Sequence, residues 1–456
     1  MSRIELRAAL SLSSVYAVRM LGLFMILPVF ALYAAELEGV TPALTGLALG
    51  AYGLTQAILQ IPAGLLSDRI GRKPVIIGGL LVFAAGSLLA ALADSIYIVI
   101  LGRALQGSGA IAAAVMALTA DLTREEHRIK AMALIGMSIG LAFAAAMILG
   151  PVLNEWVGVP GIFWITAVLA LAAVLIVAFV VPQPLISRPH REAETIPAQL
   201  GRILRHPGLL RLDAGILILH AVLTASFVVM PLVLRDEAGI ASADHWKVYL
   251  PVLLCSVLAM LPLIIQAERK GRTRAVLLLS IGLLGLAELG LYLVPVSIVS
   301  MVILLIVFFT AVNLLEAMLP SLVSRIAPVD CRGTAMGVYS SAQFLGVFLG
   351  GTLGGVLHGL SGLHAVFLMA ALAILAWLLL AASMTLPAKL STYLYRIGAI
   401  AQGGAAALSR QLSALQGVSE VVVVEEEGIA YLKVDKRHFN EADLPQKPAG
   451  FVGPRP

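Results

Sequence analysis

A short charged segment between two apolar stretches has the clearest chemistry in this sequence. The segment GLLSDRIGRKP, residues 64–74, places Asp68, Arg69, Arg72 and Lys73 in a tight turn. A carboxylate at a helix end can accept hydrogen bonds from the free N–H groups of a neighbouring helix, and the basic side chains can bind helix carbonyls or lipid phosphates. The segment is therefore predicted to latch helices in one conformer. The alternative is that its charges only orient the chain in a membrane.

Further charges lie inside apolar stretches, where a charged side chain normally faces protein or water rather than lipid. Arg103, in the segment RALQGSGA, and Arg19 are such cations, although each could instead extend its guanidinium to a nearby interface. Glu316 has Asn313 on the same helical face and is a carboxyl that could carry a proton reversibly. Glu288 has the same chemistry, but a structural or lipid-side position is an equal alternative.

Tyr52, Gln56 and Gln60 recur at intervals of four and share one helical face. Such a stripe either lines a cavity or joins two helices by hydrogen bonds. His220 on another apolar stretch could equally be a packing residue. The sequence predicts a substrate cavity lined by Arg19, Tyr52, Gln56, Gln60, His220, Asn313 and Gln343.

The composition places these residues in a membrane protein. Sixty per cent of the residues are hydrophobic, 12% are charged, and the mean hydropathy is +0.98, which exceeds what a soluble core requires. The N-terminal apolar stretch lacks a signal-peptide cleavage site and is predicted to be a first membrane helix. About twelve spans are expected, near residues 10–35, 43–66, 74–93, 95–120, 129–152, 160–182, 210–234, 246–267, 275–294, 297–323, 334–357 and 362–386.

Lys and Arg are concentrated in alternate loops, which places those loops, the central linker and both termini in the cytoplasm. The net charge of +5 is then a topological signal, and nothing indicates nucleic-acid binding. The segment QAERKGRTR, residues 266–274, repeats the charged turn in weaker form and indicates two related halves. We predict an N-terminal bundle at 1–182, a cytoplasmic linker at 183–209, a C-terminal bundle at 210–387 and a tail at 388–456.

The tail is too polar to span a membrane and is predicted to form a small α+β domain. Strands are expected near 393–400, 419–425 and 429–434, with a helix near 405–415, and the last two strands should turn at residues 426–428. This order opens a ferredoxin-like unit. Prolines near the end argue against a second long helix and a final strand, and the closing residues are expected to be disordered.

Three motifs resemble those of the major facilitator superfamily (MFS). The loop between its second and third helices matches at Gly64, Asp68, Arg69, Gly71, Arg72 and Lys73, and its second signature resembles Arg103-x-x-Gln-Gly. Gly136, Gly140, Gly150 and Pro151 resemble, in part, the antiporter motif of helix 5. With its tail, nearly the whole chain is similar to the YajR-type branch of bacterial MFS efflux proteins.

The resemblance implies an all-α membrane protein with the MFS fold, twelve transmembrane helices in two six-helix bundles, and a ferredoxin-like C-terminal cytoplasmic domain. It implies a monomer in the bacterial inner membrane, surrounded by lipid, that exports small amphipathic organic molecules by proton-coupled alternating access. Asp68 would meet the start of helix 11, near Gly333 and Thr334, in the outward-open state. Arg103 and Glu316 would couple protons.

No enzyme, metal or cofactor chemistry is indicated. The alternatives are an importer of a small nutrient, such as a sugar or an organic anion, and a membrane sensor that signals through its tail.

Overall fold

The computed structural model describes residues 1–183, 197–269, 271–328, 331–384, 391–397, 404–424, 429–434 and 438–444. This part of the chain contains eleven helical segments long and apolar enough to cross a membrane. One of them has 51 residues, which at about 1.5 Å per residue is far too long for a single crossing of a core of about 30 Å. It holds two passes, so the described residues make twelve passes in all, as predicted.

The first half contains passes one to six, and a short helix follows it. The helices are α1 (Arg3–Phe24), α2 (Phe30–Ala34), α3 (Pro42–Ile70), α4 (Arg72–Ala91), α5 (Ile96–Ser108), α6 (Ala112–Asp121), α7 (Glu125–Leu175) and α8 (Pro197–Ile203). A π-helical turn, Ile176–Val180, ends the sixth pass. Residues 184–196 of the predicted linker lie outside the described residues.

The second half repeats the arrangement with passes seven to twelve. Its helices are α9 (Pro207–Asp236), α10 (His245–Arg269), α11 (Thr273–Leu293), α12 (Ile298–Ile326), α13 (Arg332–Ser361) and α14 (Leu363–Ala382). The weaker repeat of the charged turn falls between α10 and α11. Residue 270 and the side chains of Glu268 and Arg269 lie outside what the structure describes.

Four predicted spans differ in detail, each for a local reason. The first is interrupted between α1 and α2, where Pro28 lacks the N–H group that a continuous helix needs. The fourth breaks between α5 and α6 at Gly109. The fifth and sixth are joined in α7, where Gly158 adopts φ of 66° and Pro160 follows, a backbone conformation that reverses the chain without a long loop.

The tail contains the predicted elements, β1 (Ser391–Arg396), α15 (Gly404–Ser413), β2 (Val418–Val424) and β3 (Ile429–Val434). The sheet has the order β1-β3-β2, and β3 is antiparallel to both neighbours. This is the split β-α-β arrangement of a ferredoxin-like unit. The predicted turn at 426–428 and the proline-rich end at 445–456 lie outside the described residues.

We call the membrane face that carries the α3–α4 and α6–α7 loops the basic face. The tail lies at this face, because Lys433 Nζ donates to the carbonyl oxygen of Ala327, at the end of α12, over 2.6 Å. At the opposite face α3 and α13 touch backbone to backbone, and a Cβ added at Gly46 would overlap the carbonyl oxygen of Gly351. The absence of a side chain at both positions permits this approach.

Two helices of the second half are more exposed toward the basic face than toward the opposite face. Residues 222–231 of α9, in the half of that helix near the opposite face, are buried without exception, whereas its other half is partly exposed. In α12, Phe309 is fully buried, but Asn313, Glu316 and Pro320 one to three turns further along are partly exposed. We infer from this exposure that a cavity between the halves opens at the basic face.

Candidate functional site

The charged turn between α3 and α4 is closed by a single residue, Gly71, whose φ of 98° is unfavourable for other residues. Arg72 at the start of α4 forms an ion pair with Asp68 and donates to Ser67 Oγ over 2.8 Å. Arg72 Nε also lies 3.5 Å from Asp121 Oδ2, at the end of α6. The turn thus ties the second, third and fourth passes together at the basic face.

Two further residues of this motif hold neighbouring elements. Lys73 Nζ donates to the carbonyl oxygen of Val181, just beyond the sixth pass, over 2.6 Å. Gly64 lies against α6, where an added Cβ would meet the Cβ of Ala113 at 3.1 Å. Arg69 is exposed at the end of α3. The motif therefore makes contacts across the first half.

The predicted contact between Asp68 and the start of α13 is not made in this conformer. No hydrogen bond joins Asp68 to Gly333 or Thr334 within the described part of the chain. Thr334 Oγ1 instead donates to Gln199 of α8 over 3.3 Å. Since the expected contact belongs to the outward-open state and this structure is open at the basic face, the role of Asp68 as a latch stays a prediction.

Arg19 is enclosed by the first half and is 1% exposed. Its Nη2 donates to Gln56 Oε1 over 2.8 Å and to the carbonyl oxygen of Gly109 over 2.9 Å. Gln56 Nε2 in turn donates to Gln60 Oε1 over 2.7 Å, so the predicted stripe on α3 is a hydrogen-bonded row. None of these side chains is appreciably exposed in this conformer, and their contact with substrate stays a prediction.

Arg103 is also 1% exposed, so it does not extend to an interface. Its Nη1 donates to Gln106 Oε1 over 2.7 Å, and Gln106 Nε2 donates to Ser87 Oγ on α4 over 2.7 Å. The ring of Tyr52 lies between the two arginines, with its centroid 5.2 Å from the guanidinium carbon of Arg103 and 5.8 Å from that of Arg19.

The second half brings together three of the predicted residues from three helices. His220 Nε2 on α9 lies 2.8 Å from Gln343 Nε2 on α13 and 3.3 Å from Glu316 Oε1 on α12. His220 Nδ1 lies 3.3 Å from the carbonyl oxygen of Ile216. If Nδ1 carries the proton and donates to that carbonyl, Nε2 accepts from the Gln343 amide. A further proton on Nε2 would make His220 a cation, and the Glu316 carboxylate is the group that would pair with it.

Asn313 lies outside this cluster. Its Nδ2 donates to Ser256 Oγ on α10 over 3.2 Å, so it joins two helices rather than supporting Glu316. Glu288 is fully buried and accepts from Ser226 Oγ over 2.7 Å, which excludes a lipid-side position for it. Asp213, two turns before His220 on α9, is buried, and its two oxygens have no hydrogen bond within the described residues.

The helix 5 motif divides into two pairs. An added Cβ at Gly150 would overlap the backbone at Met25, so Gly150 and the adjoining Pro151 lie where α7 packs against the interruption between α1 and α2. Gly136 and Gly140 are exposed, with nothing within 4 Å of an added Cβ. They lie in the part of the fifth pass near the basic face, on a side of the helix that has no close neighbour.

Sequence reasoning missed Asp121, Phe344 and the break at Gly109. Asp121 is the partner of Arg72, and its position at the end of an apolar stretch, just before basic residues, was the available signal. Phe344 stacks edge-to-face on Tyr52 from the other half, with ring centroids 6.0 Å apart. Nothing in the sequence pairs these two rings.

The fold and the two polar clusters define a two-bundle membrane transporter, and the comparisons agree. The Major Facilitator Superfamily model matches residues 12–265 and 224–394, and the YajR YAM domain model matches residues 400–447. The chain belongs to the major facilitator superfamily. It is a multi-pass membrane transporter and not an enzyme.

Two relatives and one solved structure illustrate the similarity. The chain is 47% identical over 442 residues to the inner membrane transport protein YajR of Escherichia coli (strain K12), and the alignment covers 97% of each chain. It is 28% identical over 336 residues to the multidrug resistance protein MdtH of Aeromonas salmonicida, covering 73% of this chain and 81% of that one. A bacterial homolog of the human lysosomal transporter Spinster, in an inward-facing and occupied conformation, shares the fold with a TM-score of 0.68 and 15% identity, covering 85% and 98% of the chains.

Proposed function

We propose that this protein is a proton-coupled exporter of small amphipathic organic molecules that works by alternating access. The observation that carries the proposal is the contact of His220 with both Gln343 and Glu316, at the edge of a cavity between the halves. Similarity to the multidrug resistance protein MdtH supports export as the direction.

The cluster offers a physical basis for coupling. With Nε2 of His220 unprotonated, it accepts from the Gln343 amide. A proton on Nε2 converts the acceptor into a donor, which favours the Glu316 carboxylate and opposes the Gln343 N–H. Because the three residues lie on α9, α12 and α13, the two protonation states favour different arrangements of these helices. A ligand shifts a conformational equilibrium only through such a difference in interaction.

Arg103 and Asp68 have supporting roles in this proposal. Arg103 would act on the same equilibrium from the first half, through Gln106, Ser87 and the Tyr52 ring. Asp68 would leave its ion pair with Arg72 and meet the start of α13 when the basic face closes. The turn would then favour the state that opens at the opposite face.

We place the protein in the bacterial inner membrane with the basic face and both termini in the cytoplasm. The concentration of Lys and Arg at that face supports this orientation, and the name of the Escherichia coli relative supports the location. The structure would then be the inward-open state, ready to receive a molecule from the cytoplasm. The protein would act as a monomer, with protons as the second transported species.

The proposal is tested in everted membrane vesicles with an acidic lumen. Three naphthalene compounds of similar shape serve as probes: 2-naphthalenesulfonate, 2-naphthalenesulfonamide and trimethyl-2-naphthylammonium. At least one should enter the lumen faster with the protein than without it, and faster with a proton gradient than without one. Glu316→Gln should reduce the gradient-driven part at least tenfold, while exchange at equal pH continues. Glu155→Gln, at an exposed carboxyl of the opposite face, is the matched control.

Other outcomes lead elsewhere. Net movement from the lumen to the outside, in the same direction as the protons, would favour the importer. Gradient-driven uptake that is equal in wild type and Glu316→Gln would show that Glu316 is not part of proton coupling.

Removal of residues 388–456 is expected to leave uptake unchanged, because neither polar cluster includes a tail residue.

A further inference from the structure

Two arginines in the first half lack a counter-charge. Arg19 and Arg103 are each 1% exposed, and no carboxylate lies within ion-pair distance of either one in the described structure. Nε and Nη1 of Arg19 have no hydrogen-bond acceptor within the described residues. Buried guanidinium groups in a membrane are costly unless an anion or several oxygen atoms compensate them. Carbonyl and amide oxygens compensate part of this charge and leave one edge of Arg19 unused.

The fourth pass is broken beside these arginines. α5 ends at Ser108 and α6 begins at Ala112, and the Gly109 carbonyl freed by the break accepts from Arg19 Nη2 over 2.9 Å. No side chain caps the N-terminus of α6. The N-terminus of a half-helix that begins inside a membrane carries a partial positive charge, and broken helices of this kind mark binding sites for anionic groups in other transporters. The two guanidinium groups, without a carboxylate beside them in the described structure, make the electrostatic potential at the cluster positive.

An aromatic pair separates the cluster from the other half. Tyr52 covers both guanidinium groups, and Phe344 of α13 covers Tyr52, with ring centroids 6.0 Å apart. The hydroxyl of Tyr52 is buried and has no hydrogen-bond partner within the described residues. Since Phe344 belongs to the second half, a movement of α13 relative to α3 would uncover the Tyr52 ring. The arginines therefore lie one side chain away from the surface that alternating access moves.

We propose that the cluster of Arg19, Arg103 and Tyr52 binds the anionic group of the transported molecule, which is therefore an amphipathic organic anion. Its acidic group would meet the unused edge of Arg19 and the Tyr52 hydroxyl. Its apolar body would lie against Phe344 in the cavity. This inference rests on the proposed export function and narrows its substrate class.

The test compares the three naphthalene probes on the purified full-length protein by thermal shift in chloride-free buffer. A ligand of the native state raises the apparent stability, and the gain grows with the logarithm of the ligand concentration divided by its Kd. The sulfonate should bind at least tenfold more tightly than the neutral sulfonamide and the quaternary ammonium. Arg19→Gln should remove this preference. Arg235→Gln should keep it, because Arg235 is exposed at the opposite face and pairs with Asp236.

Several results would overturn the inference. One such result is that the wild-type protein binds the sulfonamide or the ammonium compound as tightly as the sulfonate, or more tightly. This result would be decisive even if Arg19→Gln failed to fold. So would an unchanged sulfonate affinity in a folded Arg19→Gln protein. Stabilisation by sodium chloride, with no further effect of the sulfonate, would show a site for an inorganic ion only and would overturn the substrate assignment.

The vesicle assay separates this inference from the export proposal. Gradient-driven uptake of the ammonium compound without uptake of the sulfonate would leave export standing and refute the anion site. Tight sulfonate binding without gradient-driven uptake of any probe would refute export and retain the site as an anion-binding cluster.

Discussion

The contact of α3 and α13 at the opposite face is expected to control the conformational equilibrium. Gly46→Ala adds one methyl group where no space exists, because its Cβ would overlap the carbonyl oxygen of Gly351 and lie 2.8 Å from the Cα of Gly355. Both obstacles are backbone atoms of a long helix, which cannot rotate away as a side chain would. The strain exists only while the halves meet at this face, so the substitution should favour the state that is open there.

The size of this effect follows from the packing. Forcing an extra methyl group into a closely packed contact costs about 1–3 kcal/mol. That corresponds to a change of roughly 5- to 150-fold in the equilibrium between the two states. Gly78→Ala is the matched control, because nothing lies within 4 Å of a Cβ added at Gly78.

Maleimide labelling measures the shift. Val347→Cys places a thiol on the α3–α13 interface, since the Cβ of Val347 lies 2.9 Å from a Cβ added at Gly53. The exposed Cys255 is first replaced by serine. A membrane-impermeant maleimide applied from the opposite face should label the new cysteine at least fivefold faster in Gly46→Ala than in Gly78→Ala. Equal rates in the two variants would refute the view that this contact holds the opposite face closed.

Two further predictions concern the basic face. Asp68→Asn removes the carboxylate that pairs with Arg72. The variant should still insert into the membrane, but its gradient-driven uptake should fall about tenfold or more. Full uptake in vesicles would refute the role of Asp68 as a latch. Lys433→Met removes a hydrogen bond to the carbonyl of Ala327 and an ion pair with Glu420 at 3.2 Å. Backbone hydrogen exchange in the tail should therefore be faster in this variant than in the control variant Lys247→Met. Bonds to charged groups contribute about 1.5–3 kcal/mol, so exchange at the same rate in both variants would show that this contact does not hold the tail.

The number of passes, the tail fold and the family could be predicted because their signals are local. A helix in lipid must satisfy its own backbone, so apolar stretches of about 20 residues correspond closely to passes. The interruptions at Pro28 and Gly109 were not predicted. Proline and glycine are common in membrane helices, where neighbouring helices can satisfy the freed backbone groups. Whether such a residue breaks a pass therefore depends on its neighbours.

The candidate site was predicted as a set of residues but not as an arrangement. Gln343 and His220 were both selected, yet they lie 123 residues apart and nothing in the sequence shows that their side chains meet. Asn313 was expected beside Glu316 and instead bonds Ser256 of α10. Two residues on the same face of a helix can contact different helices when that face packs against two neighbours, as this face of α12 does against α9 and α10.

The sequence by itself determined how often the chain crosses the membrane, which loops carry positive charge and which family the protein belongs to. The passes follow from hydrogen bonding within each helix, the orientation from charges in short loops and the family from short motifs, and all three signals are contained in a few residues. Only the tertiary structure decided that Tyr52 shields two arginines beneath Phe344 and that His220 faces both Gln343 and Glu316. Such contacts depend on the rotation and spacing of helices that pack against each other, and packing is decided by the whole set of neighbours at once.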